Sequence, residues 1–298
     1  MNAPALLSPT IQDTFERFLR LSVADGEASP RTVDAYRANM RYYAVWCSSA
    51  MVDPLTATHD TILAYRASLV EGHCYKRATI RLRLTAVRLL YRALCRWGGR
   101  ADNPSEGIRA PRDKEGASSS VLAKAVSPDQ ARALLAAAGE GRDGSMVRLM
   151  LLHGLRAGEI TRLTRADLTP EGDRLSVPGK GGKRRTLILA YRCRRDLFAA
   201  PAGPLFPGRS GRAMTVRSVE RAVNKALEAV GAKVPGRSCH SLRHFYGIAA
   251  VMGGAGREAL ADSMGHAQIS TQDVYCRAAA QYQGNPSDAV MKTLEGGC

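Results

Sequence analysis

The segment RATIRLRLTAVRLLYRALCRW, residues 77–97, constrains the fold most, because it has the pattern of one long amphipathic helix. At 100° per residue, its main apolar side chains fall within an arc of about 80°; these are Ile80, Leu84, Val87, Tyr91 and Leu94. A neighbouring arc of about 100° holds Arg77, Arg81, Arg88, Arg92 and Arg96. Other segments between Ile11 and Arg100 also place apolar residues three and four apart, which predicts a helical N-terminal domain.

The arginines of this segment have no acidic neighbour, since no aspartate or glutamate occurs between Cys74 and Arg100. A solvated surface is the ordinary explanation of a charged helix face, but like charges on one face repel each other. We therefore predict that this face contacts phosphate groups. The formal net charge of +16 agrees, because it favours a polyanionic partner, either nucleic acid or an anionic membrane.

The membrane is the weaker of these two alternatives. No apolar run approaches the roughly 18 to 20 residues that a spanning helix needs, and the N-terminal MNAPALLSPT lacks the basic start of a signal peptide. The seven cysteines are scattered and form no C-x-x-C pair, so neither a disulfide framework nor a zinc ribbon is predicted. We expect a cytoplasmic protein.

The 298 residues are enough for two domains, and the chain changes character between them. Residues 103–125 are rich in proline, glycine and serine and have no periodic apolar face. The next segment, Ser127-Pro128-Asp129-Gln130, has the serine, proline and glutamine of a helix N-terminus with a capping box. We predict a helical, nucleic-acid-binding domain at 1–108, a linker at 109–124 and a second domain at 125–298.

The second domain combines helical patterns with one β signal. DRLSVPGKGGKRRTLILA predicts two short strands joined by a glycine-rich basic turn, and the pattern after Arg237 is helical again. Asn285-Pro286-Ser287-Asp288 predicts the start of a short tail helix. The predicted fold class is mainly α with a small β hairpin: a helical N-terminal domain followed by a mixed α/β domain.

The second domain also contains the residue types that cleavage of a phosphodiester needs: a nucleophile, cations for the non-bridging oxygens, and an acid for the leaving oxygen. Taken singly, each candidate is weak. His240 and His244 stand four apart, as in a zinc site, but Ser241 replaces the glutamate of the H-E-x-x-H motif and no further ligand cluster is visible. The GKGGK turn lacks the spacing of a phosphate-binding P-loop.

Taken together, four segments resemble the signature of the tyrosine recombinases, the family of phage integrases and Xer-type enzymes. The segments are HGLRAGEI (153–160), PGKGGKRR (178–185), HSLRH (240–244) and GHAQISTQDVY (265–275). Their order and spacing also fit that family. SPRTVDAY (29–36) resembles the start of its helical, SAM-like core-binding domain, so the resemblance covers about residues 11 to 280.

The resemblance implies a role for each matching residue. Tyr275 would attack the scissile phosphate, and Arg156 and Arg243 would clamp that phosphate. Lys180 would protonate the departing 5′-oxygen, and Lys183, in the same turn, would contact DNA, although its position also makes it a rival for the role of acid. His240 would take the tyrosine proton or assist the acid, and His266 would hydrogen-bond a phosphate oxygen. Glu159 would hold its neighbours in place.

The resemblance further implies a site-specific DNA recombinase that works through a 3′-phosphotyrosyl intermediate and a Holliday junction, without metal or other cofactor. The two domains would enclose a double-stranded DNA target. Four copies would act on two sites, as a homo-oligomer or with a related recombinase, and the tail helix would dock on a neighbour or on its own domain. Two alternatives stay open: a relaxing enzyme of the type IB topoisomerase kind, and a non-catalytic DNA-binding regulator.

Overall fold

The computed structural model describes residues 8–26, 28–72, 75–111, 117–179, 182–198, 200, 202–265, 272–280 and 282. These residues form thirteen α-helices and one two-stranded antiparallel sheet, so the prediction of a mainly helical chain with a small hairpin is confirmed. The chain divides into two compact units, Met1–Lys114 and Glu115–Cys298. The predicted tail helix after Asn285 lies outside the described residues.

The first unit contains four helices: α1 (Pro9–Leu21), α2 (Pro30–Ser49), α3 (His59–Glu71) and α4 (Arg77–Trp97). The predicted start of α2 is confirmed, because Ser29 is its N-cap and accepts a hydrogen bond from the Thr32 N–H. Thr58 caps α3 in the same way and forms a capping box with Thr61.

Helix α4 is central to the first unit, because α1 and α2 both pack on it. Its predicted apolar stripe is buried, which confirms the amphipathic pattern. The hydroxyl of Tyr91 lies 2.5 Å from that of Tyr43, so each buried phenol has a partner. Arg83, on the far edge of the stripe, is also buried, and its guanidinium carbon lies 3.8 Å from the ring centres of both Tyr42 and Tyr75.

The second unit contains the other nine described helices and the hairpin. Its elements are α5 (Ala117–Lys124), α6 (Pro128–Ala137), α7 (Arg142–His153), α8 (Ala157–Ile160), β1 (Arg174–Pro178), β2 (Arg184–Ile188), α9 (Tyr191–Phe198), α10 (Val216–Ala229), α11 (Cys239–Met252), α12 (Arg257–Met264) and α13 (Asp273–Ala279). The predicted capping box of Ser127 and Gln130 begins α6. The predicted strands pair in antiparallel register from Arg174 with Ile188 to Pro178 with Arg184.

The core of the second unit lies around α7, whose Met146, Leu149 and Met150 are fully buried. Helices α9, α10 and α11 pack against α7, and the hairpin contributes apolar side chains from the buried face of each strand. A smaller apolar cluster joins α5, α11, α12 and α13, and Tyr275 belongs to it. The segment that carries the predicted nucleophile is thus packed on α11.

Part of the predicted linker is helical. Residues Ala117–Lys124 form α5, which contacts α11 and α13. Val121 and Leu122 are half-buried against the apolar cluster of those helices. Such tertiary packing stabilises a short helix that has no apolar periodicity of its own. The segment 109–124 is therefore not irregular throughout, contrary to what its composition predicts.

Two further properties of the described residues bear on the sequence predictions. Within the described ranges, no helix has the length and apolar character to cross a membrane. The same residues contain no group of three histidine, cysteine or acidic side chains placed to hold a metal ion.

Candidate active site

The site begins at the sharp turn between α7 and α8. Gly154 ends α7 with φ +63°, a left-handed conformation that favours glycine. A Cβ atom there would also lie only 2.4 Å from Cδ1 of Tyr246, so no side chain fits. The turn makes Arg156 the N-cap residue of α8, and its backbone N–H donates to the Glu159 carboxylate at 2.9 Å. Gly154 and Glu159 of the segment HGLRAGEI thus fix the direction of Arg156.

Arg243 reaches the same place from α11, where it is buried. Its Nη1 donates to the Gly154 carbonyl, and its Nη2 donates to the Met264 carbonyl at 2.7 Å. Arg156 Nη1 donates to that same carbonyl at 3.3 Å. Burial, followed by the positive charge of Arg156, lowers the pKa of Arg243 to about 10, so the Arg243 guanidinium is still charged at pH 7.

Glu159 is the buried anion of the site. Its carboxylate accepts hydrogen bonds from Arg156 Nη1 and from Arg185 Nη1 and Nη2, each at 3.0 Å. Burial alone would raise the pKa of this carboxyl, but the hydrogen bonds and charges of Arg185 and Arg156 outweigh burial and lower it. The predicted role of Glu159, holding its neighbours, agrees with these contacts.

Arg185 is a site residue that the sequence analysis missed. On β2, side chains alternate between the two faces, and Arg185 shares the inner face with the buried Leu187. The alternation in RRTLILA could have revealed it, because an arginine on the buried face of a strand needs an acidic or carbonyl partner. The partner itself, Glu159, is distant in sequence and is found only in the folded chain.

Tyr275 lies in α13 and is only 5% exposed. Its ring packs on Gly247 of α11, where a Cβ atom would lie 2.6 Å from Cδ1 of the tyrosine. Burial raises the pKa of the Tyr275 phenol, and the charges of Arg243 and Arg156 and a hydrogen bond from Arg243 partly offset that effect. The phenol is therefore neutral at pH 7 and lies beside both predicted phosphate-binding arginines.

The imidazole that contacts this phenol is that of His244, whose Nδ1 lies 3.4 Å from the tyrosine Oη. Burial, then the charges of His240, Lys124 and Arg243, lowers the pKa of His244 to about 4. A neutral Nδ1 can accept a hydrogen bond from the phenol. The resemblance implies that His240 takes the tyrosine proton or assists the acid, whereas the imidazole in contact with the phenol is that of His244, the second histidine of HSLRH.

His240 lies one turn before His244 on α11, with the two ring centres 6.5 Å apart. Its side chain is exposed to solvent. Partial desolvation, followed by the charges of Arg243 and Arg156, lowers the pKa of His240. His240 thus faces the open side of the site, near the two arginines.

The remaining catalytic predictions concern the hairpin turn and the segment before α13. Lys180 and His266 lie outside the described residues. Lys183 is exposed, and its carbonyl accepts a hydrogen bond from the Gly179 N–H at 2.7 Å, which closes the base of the turn. Arg162 donates to the Pro178 carbonyl at 3.1 Å and so ties the hairpin to the end of α8. The turn is therefore anchored next to the element that bears Arg156.

The five predicted DNA-contacting arginines of the first unit all lie on α4. Arg81, Arg92 and Arg96 are exposed, whereas Arg77 and Arg88 are partly buried. Arg88 donates to the Ile108 carbonyl at 2.8 Å, and Arg96 lies 5.0 Å from the ring centre of Trp97. Arg88 is thus held within its own unit by the Ile108 carbonyl. Arg81, Arg92 and Arg96 are the arginines of α4 whose side chains are most open to a phosphate.

In the second unit, a tyrosine hydroxyl that hydrogen-bonds with Arg243 and is acted on by the charge of Arg156 forms a site suited to phosphoryl transfer. Comparison with known proteins identifies a family that uses such a site. Residues 124–282 match the profile of the Phage integrase family, and residues 15–98 match that of the phage integrase N-terminal SAM-like domain.

Two curated relatives are similar over most of the chain. Identity to the tyrosine recombinase XerC of Pelobacter propionicus is 31% over 261 residues, which cover 83% of this chain and 84% of the relative. Identity to the tyrosine recombinase XerD of Caulobacter vibrioides is 30% over 290 residues, which cover 90% and 92%. The chain belongs to the phage integrase family of tyrosine recombinases and is a site-specific recombinase.

Solved structures have the same fold. The post-cleavage complex of XerH with a palindromic difH substrate superposes with a TM-score of 0.74 at 16% identity, covering 99% of this chain and 100% of that one. A λ integrase dimer bound to a COC′ core site gives a TM-score of 0.66 at 16% identity, covering 90% and 77%. At these identities the similarity concerns the fold.

Proposed function

We propose that the chain cuts and rejoins double-stranded DNA at a specific site through a covalent bond to Tyr275. The tyrosine oxygen attacks phosphorus, the bond to the 5′-oxygen breaks, and a 3′-phosphotyrosyl link and a free 5′-hydroxyl result. A 5′-hydroxyl of another strand then attacks the same phosphorus and releases the tyrosine. The observation that carries the proposal is the hydrogen bond between the Tyr275 phenol and Arg243, with the charge of Arg156 also acting on that phenol.

The charges of the site support these roles. Attack builds negative charge on the non-bridging oxygens, and guanidinium groups bind such oxygens through paired N–H donors. Arg243 is held by two backbone carbonyls, so its direction is fixed before DNA arrives. Arg156 keeps 38% of its side chain exposed and can receive a phosphate.

Proton transfers complete the proposed reaction. His244 accepts the phenol proton in a hydrogen bond and orients the nucleophile. His240, which is exposed to solvent, takes the tyrosine proton or assists the acid, and His266 hydrogen-bonds a phosphate oxygen. Lys180 or Lys183, which lie in sequence between the two strands, protonates the leaving 5′-oxygen, because lysine can give up a proton where arginine cannot.

The DNA is held by both units in this proposal. Arg77, Arg81, Arg88, Arg92 and Arg96 on α4 bind backbone phosphates, in keeping with the net charge of +16. The similar XerH and λ integrase structures contain DNA. Four copies on two sites would exchange strands through a Holliday junction, as one protein or with a related recombinase as partner.

Covalent trapping tests the proposal. The protein is incubated with fragmented genomic DNA in EDTA and denatured with SDS, and protein-linked DNA is recovered and sequenced. Tyr275→Phe is run beside Tyr191→Phe, because Tyr191 is 87% exposed and serves as a matched control. We expect adducts from wild type and from Tyr191→Phe, clustered at one sequence, and none from Tyr275→Phe.

The other outcomes separate the alternatives. Adducts spread evenly over the DNA would indicate a relaxing enzyme of the type IB topoisomerase kind. Tight, salt-sensitive binding without adducts from wild type, even with paired copies of a site, would indicate a DNA-binding regulator. Adducts that persist in Tyr275→Phe would refute the assigned nucleophile.

A further inference from the structure

Two arginines, Arg156 and Arg185, bind the Glu159 carboxylate, and they differ in what they can do. The Arg156 side chain is 38% exposed, whereas that of Arg185 is 12% exposed and that of Glu159 is 4% exposed. Arg156 can therefore meet a phosphate from solvent. Arg185 uses both terminal nitrogens on Glu159 and its Nε on the Ser263 carbonyl, so it has little capacity left for DNA.

The paired hydrogen bonds of Arg185 determine how strongly Glu159 holds Arg156. A carboxylate that accepts a paired contact from one guanidinium is largely neutralised by it. Without Arg185, the buried charge of Glu159 would face Arg156 alone, and a buried charge attracts its remaining partner strongly. Arg156 would then turn inward to Glu159 and be lost to the phosphate.

Arg185 also supports the segment that leads to the predicted His266. Its Nε donates at 2.8 Å to the Ser263 carbonyl, next to the Met264 carbonyl that receives Arg156 and Arg243. Gly265 has φ +62°, and a Cβ atom on it would lie 2.7 Å from Arg185 Nη1. The glycine of the GH pair is thus required by its backbone conformation and by the space that Arg185 occupies.

We propose that Arg185 is a positioning residue, which neutralises Glu159 so that Arg156 stays directed at the scissile phosphate. The inference rests on the proposed function, because it assigns the phosphate to Arg156. Through β2, the same side chain fixes the base of the lysine-bearing hairpin relative to α8. The two parts of the site are therefore assembled by one guanidinium.

Four variants test this inference on the DNA site identified by trapping. Arg185→Met removes the guanidinium and keeps a long side chain. Arg184→Met is the matched control, since Arg184 is the adjacent residue on β2, points to the other face and pairs with Asp167 and Ser176. Glu159→Gln removes the carboxylate charge, and the double variant Arg185→Met with Glu159→Gln removes both. The cleavage rate on a nicked trapping substrate, DNA affinity and thermal unfolding are measured for each.

We expect Arg185→Met to cleave roughly 100-fold more slowly at unchanged DNA affinity, because a misdirected reacting group costs about that much. Arg184→Met should stay within about twofold of wild type. Glu159→Gln should cost roughly 10-fold, as outer residues of a site do. The double variant should cleave about as fast as Glu159→Gln, since without the carboxylate Arg156 is no longer drawn away.

Two results would overturn the inference: an Arg185→Met variant as active as Arg184→Met, or losses that multiply to roughly 1,000-fold in the double variant. A general packing defect would lower thermal stability and DNA affinity together, and the second substitution would not reverse it. Failure of the proposed function looks different, because then either wild type would form no adducts or Tyr275→Phe would still form them.

Discussion

Replacing Gly247 by alanine puts a methyl group where the ring of Tyr275 now lies. The new Cβ atom would be 2.6 Å from Cδ1 and 2.7 Å from Cε1 of the tyrosine. Ordinary carbon contacts are about 3.5 to 4.0 Å, so the ring must move by about 1 Å. Such a displacement of a reacting group costs about 100-fold in rate.

The effect on stability should be much smaller. Alanine in the middle of a helix is more favourable than glycine by about 0.5–1 kcal/mol, and extra volume in a packed site costs about 1–3 kcal/mol. The two effects partly cancel, which leaves a net loss of about 0 to 2.5 kcal/mol. Gly247→Ala should therefore remain folded and bind DNA while losing cleavage.

The assay measures covalent adduct formed per minute on a nicked trapping substrate, with urea unfolding of the same preparations. Gly158→Ala is the control, because a Cβ atom there meets only Cγ2 of Val216, at 4.0 Å. A Gly247→Ala variant that forms adducts at the wild-type rate would refute the reasoning. The reactive tyrosine would then occupy a different place from the one against Gly247.

Three further predictions follow from the caps, charges and hydrogen bonds. His244→Phe removes the acceptor of the Tyr275 hydrogen bond and should slow adduct formation about 10- to 100-fold. His244→Asn keeps an acceptor and should lose less activity. Equal rates of adduct formation in these two variants would contradict the role of Nδ1. Ser127→Ala removes the N-cap of α6 and should lower the free energy of unfolding by about 1 kcal/mol in urea, with Ser210→Ala, in an exposed loop, unchanged. Folding lowers the pKa of the Glu159 carboxyl below its ordinary 4.5. The ionised carboxylate therefore adds to the free energy of unfolding above pH 4.5, and this stabilisation is lost as the pH falls through the folded-state pKa. Unfolding in urea from pH 6 to pH 3 should therefore show a steeper loss for wild type than for Glu159→Gln, and parallel curves would contradict it.

Much of the fold could be predicted because its signals are local. The stripe of α4, the serine caps of α2 and α6, and the alternation of the hairpin depend on residues a few positions apart. α5 could not be predicted, because the partners of Val121 and Leu122 are α11 and α13, far along the chain. A short segment gains helical stability from such packing, not from its own composition.

The sequence by itself determined which residue types the catalytic unit contains and in what order. The motifs marked Arg156, Arg243 and Tyr275, because their spacing resembles a known family. Only the tertiary structure decided which side chains meet. It brought Arg185 to Glu159 across 26 residues and Tyr275 to His244 across 31. A hydrogen bond depends on positions in space, and the folded backbone sets these after helices from distant segments have packed together.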